Sequence, residues 1–158
     1  MRNKAAGYAA RCAFELAENR FKSYDALQIT GTGRKQIKAL RAKAKAQQGV
    51  EKAYQGVFRY KRAETTLAAS YRIGHSYGRV AESLFTAPIP KEFQKDEELA
   101  MEYRAQLEDK AAVLERKAES AYRKAYKEAK RTSVVNEWTQ RILEGLNKYS
   151  PKEFPIQK

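Results

Sequence analysis

The chain carries one histidine, His75, and one cysteine, Cys12, and that pair bounds its chemistry. A zinc site needs several Cys, His or carboxylate ligands at close spacing, and a histidine with no cysteine near it does not supply them. A Ser-His-Asp triad would have only His75 to use, and no Gly-x-Ser-x-Gly elbow accompanies it. His75 itself reads as a surface or groove residue on the face opposite Tyr71. Thr30-Gly31-Thr32-Gly33-Arg34-Lys35 has the residue types of a phosphate loop without the spacing. That loop needs four residues between its glycines and a Lys-Ser/Thr after the second. Glu97-Glu98 and Glu108-Asp109 pair carboxylates, but beside lysines and arginines they read as a solvated helix face. No metal or cofactor is expected, and the chain is expected not to be an enzyme. Cys12 lies at helical spacing from Ala9 and Leu16, which predicts a small buried apolar residue.

Charge is the stronger signal. Net charge is +13, and residues 34–62 hold ten Lys/Arg against the single acid Glu51. Residues 63–120 reverse the sign, with eight Lys/Arg against eleven acids. Residues 42–46 are apolar only through alanine and stand among Lys38, Arg41, Lys43 and Lys45, so this segment should pack weakly or form a basic face for a partner. A protein is the expected partner, an acidic one where this face is the site, although the plainer reading of these lysines is a solvated face that keeps a helical domain soluble. Phosphates are the alternative, since lysines and arginines on a helix neutralise them. Tyr54, Phe58 and Tyr60 could stack on bases, but no nucleic-acid motif accompanies them, so nucleic acid is the less favoured partner. No stretch approaches the ~18 consecutive apolar residues of a membrane-spanning helix. The N-terminus does not read as a lipoprotein signal, because no apolar run precedes Cys12 and Arg11 stands before it.

The elements that would position these residues are helices. Ala, Lys, Glu, Arg, Leu and Tyr dominate, and the four prolines fall at Pro88, Pro90, Pro151 and Pro155. Apolar spacing predicts about five helices, over roughly 3–27, 34–61, 63–85, 95–131 and 134–149. The first stripe is Ala9, Ala13, Leu16, Ala17, Phe21 and Tyr24. The second is Ile37, Leu40, Ala44, Val50, Tyr54 and Val57. The third helix is apolar over two adjacent stripes, which places it at the centre. Asn136 is a candidate N-cap, moving the last helix start to Glu137. One domain over 1–150 and a short tail over 151–158, able to fold back through Phe154, complete the expectation. Oligomeric state stays open.

Inside the third helix stands Ile73-Gly74-His75-Ser76-Tyr77. A mid-helix glycine costs about 1 kcal/mol against alanine, so it is expected where another element passes close by. Tyr71, Ile73, Gly74 and Tyr77, followed by Ala118, Tyr122 and Ala125 and then Trp138, resemble the two helices of a tetratricopeptide repeat. Together with Ala87-Pro88-Ile89-Pro90 and Asn136-Glu137-Trp138-Thr139, they resemble the C-terminal region of the large tetratricopeptide proteins of delta-proteobacterial envelopes, including gliding-motility components. The resemblance covers nearly the whole chain. It implies an all-α fold of antiparallel helical hairpins, a solenoid with lengthened helices. It also implies a scaffold or adaptor role in the periplasm or at the outer membrane, a cytoplasmic location staying open. Two departures stand out. Ser70 occupies the usual tryptophan position, and about 32 extra residues separate Tyr77 from Ala118 compared with a standard repeat.

Overall fold

The computed structural model describes residues 2–156 and is 80% helical, with no strand among the described residues. Six helices run in order: α1 Arg2–Asp25, α2 Arg34–Gln55, α3 Ala63–Phe85, α4 Lys91–Gln94, α5 Glu97–Thr132 and α6 Glu137–Tyr149. A 3-10 turn, Phe58–Tyr60, follows α2. Two differences from the expected five helices have local causes. The second helix stops at Gln55, six residues early, and Lys61 takes a left-handed conformation with φ 51°. After Pro90, whose fixed φ suits a helix start, one extra turn forms as α4. Gly31 and Gly33, with φ 71° and 58°, carry the bend between α1 and α2 that a β-carbon would resist.

Helix α3 is central, as its two stripes imply. It packs against α1 and α2 on one side and against α5 and α6 on the other. The α1–α2 pair and the α5–α6 pair make no backbone approach to each other, so α3 belongs to two three-helix groups at once. One core gathers Phe21, Tyr24, Val50, Tyr54, Ile73 and Val80. A second gathers Leu67, Ala118, Tyr122, Ala125, Ile142 and Leu146. A third, smaller cluster, with Ile29, Leu84, Leu107 and Ala111, closes the end near the proline connector. Caps set the boundaries. Asp96 accepts from the Leu99 amide at 3.1 Å, and Asn136 accepts from the Trp138 and Thr139 amides, each cap worth about 1 kcal/mol. The tail does fold back: Phe154 meets Tyr126 edge-on at 5.7 Å, and Asn147 donates to its carbonyl.

The expected close approach at Gly74 is to an aromatic ring. A β-carbon there would lie 2.7 Å from Cε1 of Tyr122. Gly145 of α6 does the same from the other edge, 2.6 Å from Cε2. Tyr122 is thus held between two glycines on two helices, stacked on Tyr71 at 5.6 Å. Both motif halves, Tyr71 with Gly74 and Ala118 with Tyr122 and Ala125, meet here. Because the ring is pinned on both sides, it cannot yield to an added methyl.

Gly145→Ala is therefore expected to destabilise by about 1–2 kcal/mol, the overpacking cost less the helix-propensity gain of alanine. In a Tyr122→Leu background the same change should become neutral or stabilising by up to about 1 kcal/mol. Urea unfolding of the four proteins measures this, and equal costs in both backgrounds would remove the clamp.

Candidate binding surfaces

Helix α2 does not bury the face its hydrophobicity suggests. Its buried line is Gln36, Lys43, Gln47, Val50 and Tyr54, while Ile37 is 50% exposed. A helix is a rigid rod, so one end chooses the face for the whole length. Val50 and Tyr54 dock against Phe21, Tyr24 and Ile73, and spacings of three and four carry that face back to residue 36. The polar side chains brought inside meet groups that need donors. Gln36 donates to the carbonyls of Gly31 and Pro88 and accepts from the Tyr103 hydroxyl. Lys43 donates to the Leu27 carbonyl at 2.5 Å and lies over the Tyr24 ring. Gln47 donates to the Ser76 hydroxyl at 3.1 Å. Carbonyls of the α1–α2 loop and of the proline connector would otherwise be short of partners in the interior.

This corrects the expected basic face at one position. Lys43, 2% exposed, belongs to the interior, where burial pushes its pKa down. Lys38, Arg41 and Lys45 are exposed as expected. They align with Arg34 and Lys52 at spacings of four, three, four and seven residues. The row runs ~27 Å along the side of α2 away from the core. Among the described residues, no ion pair or side-chain hydrogen bond engages any of the five.

The densest cluster of ionisable groups lies around Arg72. Its guanidinium forms a two-pronged ion pair with Glu18, both bonds 2.8 Å, and donates to Nδ1 of His75 at 3.1 Å. Glu18 also accepts from the Tyr54 hydroxyl at 2.5 Å. Arg72 faces the rings of Phe21, Tyr71 and Trp138 at 4.9–6.0 Å. His75 is sandwiched between Phe21 at 5.3 Å and Tyr71 at 5.5 Å. The expectation that His75 lay opposite Tyr71 was wrong, since residues four apart share a helix face. Burial first, then the cations Arg72 and Arg79, hold its pKa down at about 4. The ring is therefore neutral at pH 7. Every member of the cluster is spent on its neighbours, so the arrangement joins helices.

Of the residues expected to form the repeat core, Ala118, Tyr122 and Ala125 are buried together with Tyr71 and Tyr77 at their side. Ile73 lies in the neighbouring cluster. Trp138 reaches across to α1, edge-on to Phe14 at 5.7 Å. Cys12 is exposed, as is Leu16, because the face that buries Ala10, Ala17, Phe21 and Tyr24 leaves both outside. Among the described residues no group of three or more His, Cys, Asp or Glu side chains could hold a metal ion, and no helix is long and apolar enough to cross a membrane. Two grooves remain. One, of about 950 Å³, is lined by Lys4, Tyr8, Arg11, Lys61, Arg62 and Glu64 among others. The other, about 460 Å³, opens between α2 and α5 over Ile73 and Tyr77, with Lys117 and Lys124 at its edge. In it the Tyr77 hydroxyl donates to Glu51, and burial first, then that carboxylate, raises the phenol to about 12.

His75 gives a pH dependence. A histidine whose pKa is about 4 folded and ~6.5 unfolded binds more protons unfolded across that window, so stability falls as pH drops through it. Its contribution should be intact above about pH 7 and down by about 2 kcal/mol at about pH 5. His75→Gln should flatten that segment of the stability profile, measured by urea denaturation. An unchanged slope would place the pH dependence on other groups.

No protein-family model, no curated protein and no solved structure matches this chain.

Proposed function

We propose that the chain is a non-enzymatic binding module, a scaffold or adaptor of a bacterial cell-envelope complex that engages an acidic protein partner through α2. One observation carries the reading: the row Arg34, Lys38, Arg41, Lys45, Lys52 is exposed and forms no ion pair or side-chain hydrogen bond among the described residues, while the opposite face of the same helix is buried through Gln36, Lys43, Gln47, Val50 and Tyr54. Five like charges on one helix repel one another by a few tenths of a kcal/mol per neighbouring pair. A surface of one sign acts mainly on encounter rate and partner choice. The envelope setting comes from the resemblance to tetratricopeptide proteins, and the meeting of Gly74 with Tyr122 supports that kinship. A repeat-like solenoid arrangement is part of the same proposal.

The row also favours a second reading, phosphate binding by the same cations. Of the aromatics that could support single strands, Tyr54 is fully buried, and only the half-buried Phe58 and Tyr60 stand near the end of α2. Five phosphate contacts would lower affinity for random-sequence DNA by about 500-fold between 50 and 200 mM salt. No binding at low salt removes this reading.

The triple reversal Lys38→Glu, Arg41→Glu and Lys45→Glu is expected to cut capture of envelope proteins at least about tenfold, through slower association. Because all three are exposed, the melting temperature should stay nearly unchanged. Quantitative pull-down from envelope extract is the measurement, and capture equal to wild type would reduce the row to a solvated face.

A further inference from the structure

We propose that the chain assembles head to tail with copies of itself, the basic row of α2 in one copy seated against an acidic row on α5 of the next. The proposal rests on α2 being a docking surface and names its partner. The acidic row lies on the first half of α5. Glu98, Glu102 and Asp109 stand at spacings of four and seven residues, on the side opposite Leu107, Ala111 and Ala118. Glu97 and Glu108 flank it, and all five acids are exposed. Among the described residues no ion pair engages any of them. Asp96 is outside the row because it caps the helix.

The two rows fit in length. Glu98 to Asp109 and Arg34 to Lys45 each span eleven residues, ~17 Å of helix. Met101, 68% exposed, and Val113, 45% exposed, stand beside the acidic row. Ala42 and Gly49 leave small residues beside the basic one, so two helices can approach closely. Within one molecule α2 and α5 touch through other side chains, the Tyr103 hydroxyl donating to Gln36, while both rows are exposed and no ion pair joins them among the described residues. In the head-to-tail arrangement the two rows of one copy engage two different neighbours, so the contact is heterologous. A copy that engages a neighbour through one row leaves its other row open, so growth continues until a ring closes or a filament forms.

Net charge of +13 opposes association, and ionic strength decides which effect wins. Facing charges act over a few ångströms, while most of the excess charge lies farther away. At about 0.1 M salt the screening length is ~10 Å, which removes the distant repulsion first. At about 1 M it is ~3 Å and the facing pairs weaken too. Association should therefore peak at intermediate salt.

Sedimentation of the full chain tests this. At about 100 µM protein and 0.1 M salt, the weight-average mass should exceed twice the 18.1 kDa monomer and grow with concentration, then return to 18.1 kDa near 1 M salt. The variants Lys38→Glu/Arg41→Glu/Lys45→Glu and Glu98→Lys/Glu102→Lys/Asp109→Lys should each sediment as monomers. Their equimolar mixture should assemble again, because each supplies the sign the other lost. Circular dichroism confirms that both variants fold. A monomeric wild type at 0.1 M salt, a variant that assembles alone, or a mixture of folded variants that stays monomeric overturns the proposal. Wild-type protein that stays monomeric yet captures an envelope protein removes self-assembly and keeps the heterotypic reading. Protein that assembles in this pattern and captures nothing does the reverse.

Discussion

The ion pair between Arg72 and Glu18 is the joint on which the arrangement of helices depends. Its side chains are only 18% and 22% exposed, so each charge relies on the other in place of water. Glu18 lies on α1 and takes the Tyr54 hydroxyl from α2, while Arg72, on α3, faces Trp138 of α6. Four helices from both three-helix groups therefore converge on one guanidinium. A pair of this kind adds little over a well-packed apolar substitute, but losing one partner strands the other. Its value lies in orientation: five fixed donors and a flat face tell α1, α3 and α6 how to rotate against each other.

The second constraint is the Tyr122 clamp, which does for α3, α5 and α6 what Arg72 does for α1, α2 and α3. A large ring against two glycines has one seating, so it sets the depth at which the helices meet. The two devices sit on adjacent stretches of α3, linked by Tyr71, which stacks on both His75 and Tyr122. The extended path of the proline connector lets the long α5 return along α3.

With the interior settled by these contacts, the outer faces of α2 and the first half of α5 are left with charges that the fold does not use. Elsewhere some surface ions are paired, Arg79 with Asp25 and Glu82, Arg123 with Glu119 and Glu153, Arg131 with Glu128, while others such as Arg11, Arg20 and Lys127 form no ion pair among the described residues. What sets the two rows apart is that each aligns several charges of one sign along a single helix face.

The sequence by itself determined the elements. Residue propensity, proline placement and the capping residue Asn136 act within a turn or two of chain, so most helix positions and the cost of Gly74 were legible locally, while the early end of α2 and the short α4 were not. The central place of α3 was legible too, because a helix apolar on two stripes must be covered twice. What only the tertiary structure decided was which way each helix faces. Lys43, Gln36 and Gln47 look like surface residues until Val50 and Tyr54 dock and rotate them onto two loop carbonyls and the Ser76 hydroxyl, 16 to 52 residues away in sequence. Gly145 looks like an ordinary helical glycine until Tyr122 arrives from another helix. Cys12 and Leu16 read as core until the face holding Ala17, Phe21 and Tyr24 turns them out. In each case hydrophobic spacing describes what a residue would prefer, while the face actually buried is set by partners far along the chain.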